Sequence, residues 1–414
     1  MGVISAIGDT VAANRSALVA GQCGITPLTY LHSRYAGLLS AGEIGTATRE
    51  LKEKLQACDP GITRTTLLAL HAFNEAIADA ALTAGQIGAS DTALAGATTV
   101  GGMCLTDELY RDATGISGGL TAPVASPFLS SYDYASVILY LQARYKMDGL
   151  VTTINTACSS SANAIMYGAR LIRNGLARRA IVGGADSLAK FTINGFNALQ
   201  ILSPGICQPF DENRKGLNLG EGAAFLVLER GEDLGFEDDP GKTKPVNKHD
   251  PGGKAVKRIY AELTGYCNAN DAFHPSSLSP EGDGPHAAME GALRSAGLDK
   301  SRIGFINAHG TGTENNDAAE SRAMIRLFGA PPAFASTKSN TGHTLGASGA
   351  IEAVYSISAL FHQEVYAALN FKEPIRTTGL TPVTAYRQTH LEHVMSNSFG
   401  FGGNCSSLIF SKAN

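Results

Sequence analysis

The feature that most constrains this chain is a repeated local pattern. A short apolar run suited to a buried strand leads into a polar turn rich in glycine or small residues, and a helical segment follows. Leu94–Val100 (LAGATTV), Val151–Asn155 (VTTIN), Ala180–Gly183 (AIVG) and Ala223–Leu228 (AAFLVL) have the apolar content of buried strands. Ser159–Asn174 sets Ala164, Ile165, Tyr167, Ala169, Leu171 and Ile172 in a helical pattern. Later, Arg258–Thr264, Ile303–Ala308 and Ala333–Ser336 read as strands, and Asp317–Phe328 and Gly349–His362 as helices. Val394–Ser396 and Ser407–Phe410 read as closing strands. Such alternation predicts an α/β fold with mostly parallel sheets. Gly at 47 of 414 residues exceeds the usual share of about 7% and fits many tight strand-to-helix turns.

One stretch breaks the pattern. Residues 231–257 (GEDLGFEDDPGKTKPVNKHDPGGKAVK) are rich in charge, Gly and Pro and almost lack a core face. They predict an exposed linker or loop between an N-terminal half, 1–230, and a C-terminal half, 258–414. The halves resemble each other in architecture. Strand, polar turn with Cys158 and helix in the first matches strand, polar turn with Lys338 and His343 and helix in the second. A duplicated unit with two facing turns follows from that likeness.

Charge and cysteine usage narrow the function classes. A net charge of −4 gives no general reason to expect nucleic acid or an anionic membrane as partner. Seven scattered cysteines without a C-x-x-C pair argue against a secreted disulfide framework or a zinc ribbon and read as a reduced, cytoplasmic protein. The first residues lack a basic segment, and no apolar run approaches the ~18–20 residues of a membrane span. No cluster has metal-ligand spacing, so no metal is assigned. Neither a P-loop nor a dinucleotide-binding glycine pattern after a strand occurs.

Four segments can carry chemistry. In Asn155-Thr156-Ala157-Cys158-Ser159-Ser160-Ser161 a thiol opens a helix, where the positive dipole end favours thiolate and a backbone N–H can serve an oxyanion. The plainer reading of Cys158 is a small buried hydrophobe. Asn307-Ala308-His309-Gly310-Thr311-Gly312-Thr313 ends a strand with an imidazole and two hydroxyls, a position suited to substrate chemistry in α/β sheets; a structural turn fits equally. In Ser336–Glu352 a Lys and a His stand five apart, Lys338 and His343. If they are close in space, the cation keeps the imidazole neutral; a capped helix start is the alternative. Asn397-Ser398-Phe399-Gly400-Phe401-Gly402-Gly403-Asn404 interleaves aromatics with glycines, as a gate over a pocket or a plain β-turn.

Taken in order, TACSSS, NAHGTGT, STKSNTGH and NSFGFGGN resemble the β-ketoacyl-acyl-carrier-protein synthases, in their elongating branch with a Cys-His-His site. The resemblance covers essentially the whole chain, and Gln208-Pro209-Phe210-Asp211 with Leu219–Ala223 is similar to a further family block. It implies a thiolase-like duplicated αβαβα sandwich and a homodimer, with a heterodimer with a related subunit as the other arrangement. It also implies decarboxylative Claisen condensation between a Cys158-bound acyl chain and malonyl-acyl-carrier protein. The resemblance implies that His309 and His343 steady the forming enolate and that the Cys158 and Phe401 N–H groups make the oxyanion hole. It further implies that Lys338 tunes His343 and that Glu352 is a buried structural carboxylate. Thr311 and Thr313 would hold the pantetheine arm, Phe196, Phe399 and Phe401 would line or gate the acyl pocket, and Asp271 would belong to a substrate-facing loop that moves with the gate. No cofactor is implied beyond the phosphopantetheine carried by acyl carrier protein.

Three departures accompany the resemblance. Relatives begin with a strand just before the segment matching Met1–Gly8, so the family's first strand is expected to be missing here. Their carrier-docking surface is Lys/Arg-rich where this chain has only Arg64 in Thr63–Leu68, which shifts docking toward Arg173, Arg178, Arg179 or linker lysines. Tyr132 and Tyr134 stand where relatives carry more aliphatic residues, either narrowing the acyl tunnel or serving as interface tyrosines. Two alternatives to an elongating ketosynthase are a catalytically silent chain-length-determining subunit, which usually lacks the nucleophile, and a thiol acyltransferase or hydrolase.

Overall fold

A computed structural model describes residues 1–114, 126–231, 233 and 258–413. Ten strands form two five-stranded sheets. In chain order they are β1 (Gly2–Ser5), β2 (Thr92–Ala97), β3 (Val151–Ile154), β4 (Arg179–Asp186) and β5 (Gly222–Glu229), then β6 (Glu262–Asn270), β7 (Ile303–Asn307), β8 (Ala333–Ala335), β9 (His393–Phe399) and β10 (Asn404–Ser411). The first sheet runs β1-β5-β4-β2-β3 and the second β6-β10-β9-β7-β8, so each strand of one half has its counterpart five places on. The directions repeat as well. β4-β2 and β2-β3 are parallel, as are β9-β7 and β7-β8, while the two remaining pairings of each sheet are antiparallel. The duplication read from the sequence is therefore present in strand order and direction, but the sheets are mixed rather than mostly parallel. One cause is the short Gly400–Gly403 turn, which folds β9 directly back onto β10.

Six helices matter for the layers: α1 (Arg64–Asp79), α2 (Ser160–Arg173), α3 (Lys190–Ala198), α4 (Asp283–Ala296), α5 (Glu314–Phe328) and α6 (Ser348–His362). The long α1 packs on the outer face of the first sheet, and α4 packs on the second with α5 beside it. Between the sheets, α2 and α6 pack against each other and against both halves, completing an αβαβα sandwich. Their contact is apolar and small-featured, with Ala162, Ala164 and Ile165 buried alongside Ala350, Ile351 and Val354. Burying one such Ile or Val side chain is worth about 1.5–3 kcal/mol. Gly349 allows the closest approach, since a Cβ there would lie 2.6 Å from the Ala162 nitrogen. Ser161 Oγ accepts from the Ala350 N–H at 2.9 Å. This contact brings the N-terminal ends of α2 and α6 together, and with them the turns that precede each helix.

Several boundaries differ from the sequence reading for identifiable reasons. β2 stops at Ala97, not Val100, because the Thr99 and Val100 N–H groups and the Thr98 hydroxyl all donate to the buried Asp186 carboxylate. The strand expected over 258–264 is instead Glu262–Asn270. Its polar C-terminal half escapes an apolar-run criterion, but Asn268 donates to Asn404 Oδ1 and Ser406 Oγ across to β10. Gly2–Ser5, expected to follow a missing first strand, is itself an edge strand pairing with Gly222–Phe225 of β5. The predicted linker lies almost wholly outside the described residues.

Candidate active site

β3 ends at Ile154, and the chain makes a tight turn before α2 begins at Ser160. Ala157 adopts φ 55°, a left-handed conformation that a non-glycine residue holds only under surrounding constraint. That constraint is visible. The Thr156 N–H donates to Ser160 Oγ at 2.9 Å, and Ser160 Oγ donates to the Ala157 carbonyl at 2.5 Å. Ser159 Oγ bridges to Asn404 Oδ1 at 2.7 Å, tying this turn to the start of β10. Cys158 is thereby presented at the crest of the turn and is 6% exposed.

Opposite it lies the β9–β10 turn. Gly400 is required by proximity, because a Cβ would sit 2.6 Å from the Thr156 carbonyl oxygen and 3.2 Å from the Cys158 nitrogen. The next residue, Phe401, directs its backbone N–H at the Cys158 thiol, as Cys158 does with its own. Two N–H donors beside the sulfur are groups that could serve an oxyanion on a Cys158-bound acyl group. The Phe401 ring stacks on Phe196 of α3 with centroids 5.7 Å apart.

The two histidines come from the second half. His309 follows β7, and Glu320 of α5 accepts from the His309 N–H at 2.9 Å and the Gly310 N–H at 2.8 Å. Its ring lies 5.4 Å from that of His343 and 5.5 Å from that of Phe399. Lys338 Nζ stands 3.3 Å from His309 Nδ1 and is ion-paired with Glu352 of α6. With Nδ1 accepting from the ammonium, a neutral His309 carries its proton on Nε2. His343 is held by its backbone, which donates to the Asn218 carbonyl at 2.7 Å, and through Nδ1, 2.9 Å from Ser348 Oγ.

Burial dominates the electrostatics. Desolvation, then the Lys338 charge, then His343 hold His309 well below the ordinary imidazole range, and desolvation and Lys338 do the same to His343. Burial pushes Glu352 up to about 7 against the pull of Lys338. Cys158 is pushed up to about 12 by burial, with Lys338 and the Phe401 N–H opposing. Burial thus works against the thiolate expected from the helix dipole.

Cys158, His309 and His343 face one cavity of about 340 Å³, also lined by Phe196, Thr311, Thr313, Phe399 and Phe401. The Thr311 and Thr313 hydroxyls are 2.9 Å apart on its wall. Lys338 lowers His343 through its field, as expected, and its direct contact, which the sequence did not indicate, is with His309. Other expectations require correction. Asp271 does not line the cavity; its carboxylate accepts from Ser279 and from the Gly284 N–H near the start of α4. Arg64, half-buried, is bonded through Nε and Nη2 to the buried Glu221, in line with docking elsewhere. Arg179 is likewise buried against Glu229, whereas Arg173 is exposed. Tyr132 and Tyr134 lie outside the cavity wall. Ser348 and Glu320, which orient the histidines, escaped the sequence reading because each acts through a contact made only on folding. No group of three or more His, Cys, Asp or Glu suited to a metal ion occurs among the described residues. No described helix is long and apolar enough to cross a membrane.

Comparison with known proteins agrees with this architecture. Residues 1–234 match the family model described as beta-ketoacyl synthase, N-terminal domain, and residues 260–372 match its C-terminal domain. The chain is 32% identical to a 3-oxoacyl-[acyl-carrier-protein] synthase 2 of Vibrio cholerae, covering all of this chain and 97% of the relative. A Staphylococcus aureus protein of the same name is 30% identical over all of this chain and 97% of its own length. Among solved structures, the ishigamide ketosynthase/chain length factor superposes with TM-score 0.88 at 28% identity, covering 100% of this chain and 98% of the other. A ketosynthase in complex with its chain length factor from Xenorhabdus doucetiae gives TM-score 0.80 at 31% identity, covering 100% and 96%. With both family domains matched in order over this thiolase-like sandwich, the chain belongs to the β-ketoacyl synthase family.

Proposed function

We propose that this chain is an elongating β-ketoacyl-acyl-carrier-protein synthase in fatty acid or related polyene or polyketide synthesis. The observation that carries the reading is the convergence of the Cys158 and Phe401 N–H groups on a thiol that shares its cavity with two neutral histidines. In the first half-reaction Cys158 Sγ attacks the acyl thioester of a carrier protein. The two N–H groups hold the oxyanion, and the carrier leaves as free thiol with the proton that Cys158 gives up. Malonyl-carrier protein then enters. Its carboxylate leaves as CO2, and the electrons of the broken C–C bond pass into the thioester as an enolate whose oxygen His309 and His343 receive through N–H donors. The enolate carbon attacks the Cys158 acyl carbonyl, and collapse of the tetrahedral adduct expels the Cys158 thiolate, which regains a proton from water.

In this reading residues 1–230 and 258–414 are two thiolase-like halves joined by 231–257. Burial and the Lys338 charge keep the histidines neutral, Glu352 holds Lys338 in place, and Thr311 and Thr313 hold the pantetheine arm. The protein acts in the cytoplasm as a homodimer or with a related subunit, and phosphopantetheine arrives only on its carrier substrate. The test is to load the enzyme from a labelled acyl-carrier protein and add malonyl-carrier protein. Labelled β-ketoacyl product, absent in Cys158→Ala, supports the reading. No acylation indicates a chain-length-determining subunit, and labelled free acid alone indicates a hydrolase.

A further inference from the structure

Besides its thiol and imidazoles, the cavity wall carries two charged side chains among the described residues, Lys215 and Glu314, and no ion pair joins them. Lys215 is exposed, while Cys158, His309 and His343 are each at most 6% exposed, so the ammonium marks the solvent end of the space. Its backbone is fixed in place. The preceding residue, Arg214, is buried and donates to the Thr313 carbonyl at 3.1 Å and the Glu314 carbonyl at 2.7 Å. The following residue, Gly216, donates its N–H to the Gly312 carbonyl at 3.0 Å. Lys215 is therefore displayed from a clamped segment beside the Thr311–Thr313 turn, while Arg214 is buried with Nε, Nη1 and Nη2 each bonded to a backbone carbonyl. It is the only Lys or Arg on the wall among the described residues.

The geometry points to Lys215 as the residue that recognises the phosphate of the pantetheine arm as the arm threads the cavity toward Cys158. The assignment rests on the ketosynthase reading above and deepens it. A thioester placed at the buried thiol leaves its arm running outward along the wall, and the phosphate at the far end is the one charged group that arm carries. An ammonium carried at the mouth by this held backbone forms a charge-assisted contact with it and sets the depth to which the arm inserts.

The test compares malonyl-pantetheine with malonyl-4′-phosphopantetheine thioesters, which differ only in the phosphate, as partners for enzyme already acylated on Cys158. Wild-type enzyme is expected to favour the phosphorylated thioester by about tenfold in kcat/KM, expressed in KM, as one charge-assisted contact supplies. In Lys215→Met that ratio should fall to near one, and in Lys215→Arg it should persist. A ratio unchanged in Lys215→Met overturns the assignment. So does a loss confined to carrier-bound substrate, which would place Lys215 against acidic groups of the carrier itself. Wild-type enzyme that condenses neither thioester nor malonyl-carrier protein overturns the ketosynthase reading and the assignment with it.

Discussion

Lys338 Nζ lies 3.3 Å from His309 Nδ1 and on its other side is ion-paired with the buried Glu352. This contact joins the α6 carboxylate to the imidazole that follows β7, and after burial it is the next cause that holds the imidazole neutral. A cation beside His309 disfavours a second positive charge there, so the ring that meets the malonyl group is neutral. An imidazolium would instead pair with the malonyl carboxylate and hold it against departure as CO2.

Lys338→Met should therefore raise the pKa of His309, since the removed charge was lowering it and the Glu352 left behind favours imidazolium. Histidine NMR titration reads this directly, and malonyl decarboxylation near pH 6 should fall more than at pH 8. Breaking a buried ion pair costs about 3–5 kcal/mol, with the lower end expected because Glu352, already pushed up to about 7, can take up a proton. Adding Glu352→Gln should recover stability without restoring wild-type pH dependence. A His309 titration unmoved in Lys338→Met would falsify this coupling.

His343→Ala should impair malonyl decarboxylation more than acyl loading, because the imidazole is assigned to the enolate rather than to Cys158. A loss on the order of 10²–10³-fold in decarboxylation is expected from removal of one such donor. Single-turnover measurement of CO2 release and of Cys158 acylation separates the two steps, and equal losses in both would count against the role.

The resting thiol of Cys158 is held protonated by burial, up to about 12. Alkylation of Cys158 by iodoacetamide should then climb with pH across the range 7–10 without levelling off, as the thiolate fraction rises about tenfold per unit below the pKa. A plateau near neutral pH would instead reveal a thiolate stabilised at rest.

Gly400→Ala should slow Cys158 acylation, because its new Cβ meets the Thr156 carbonyl at 2.6 Å and must push the Phe401 N–H away from the thiol. A drop on the order of 10² or more is expected for a displaced oxyanion donor. Thermal unfolding followed in parallel distinguishes this from general loss of fold, and an unaltered acylation rate would show that the donor does not act there.

What could be read from residues alone was local. Cys158, His309, Lys338, His343 and the Phe399–Phe401 turn each lie in a short polar or glycine-spaced run at a strand end, which is why the motifs and the alternating α/β pattern were legible. The duplicated order of strands also left its trace, since both halves carry strand, polar turn and helix in the same sequence. The tertiary structure decided the rest, because those features depend on partners far apart in the chain. Antiparallel pairing of β1 with β5 joins segments more than two hundred residues apart. Likewise Asp271 turns to the start of α4, Arg64 is drawn inward by Glu221, and Lys338 bonds His309 rather than the nearer-in-sequence His343. Whether a charged group faces solvent, substrate or a buried counter-ion is set by desolvation and by which partner folding brings within hydrogen-bond reach. For the same reason burial works against the thiolate expected of a thiol at a helix start.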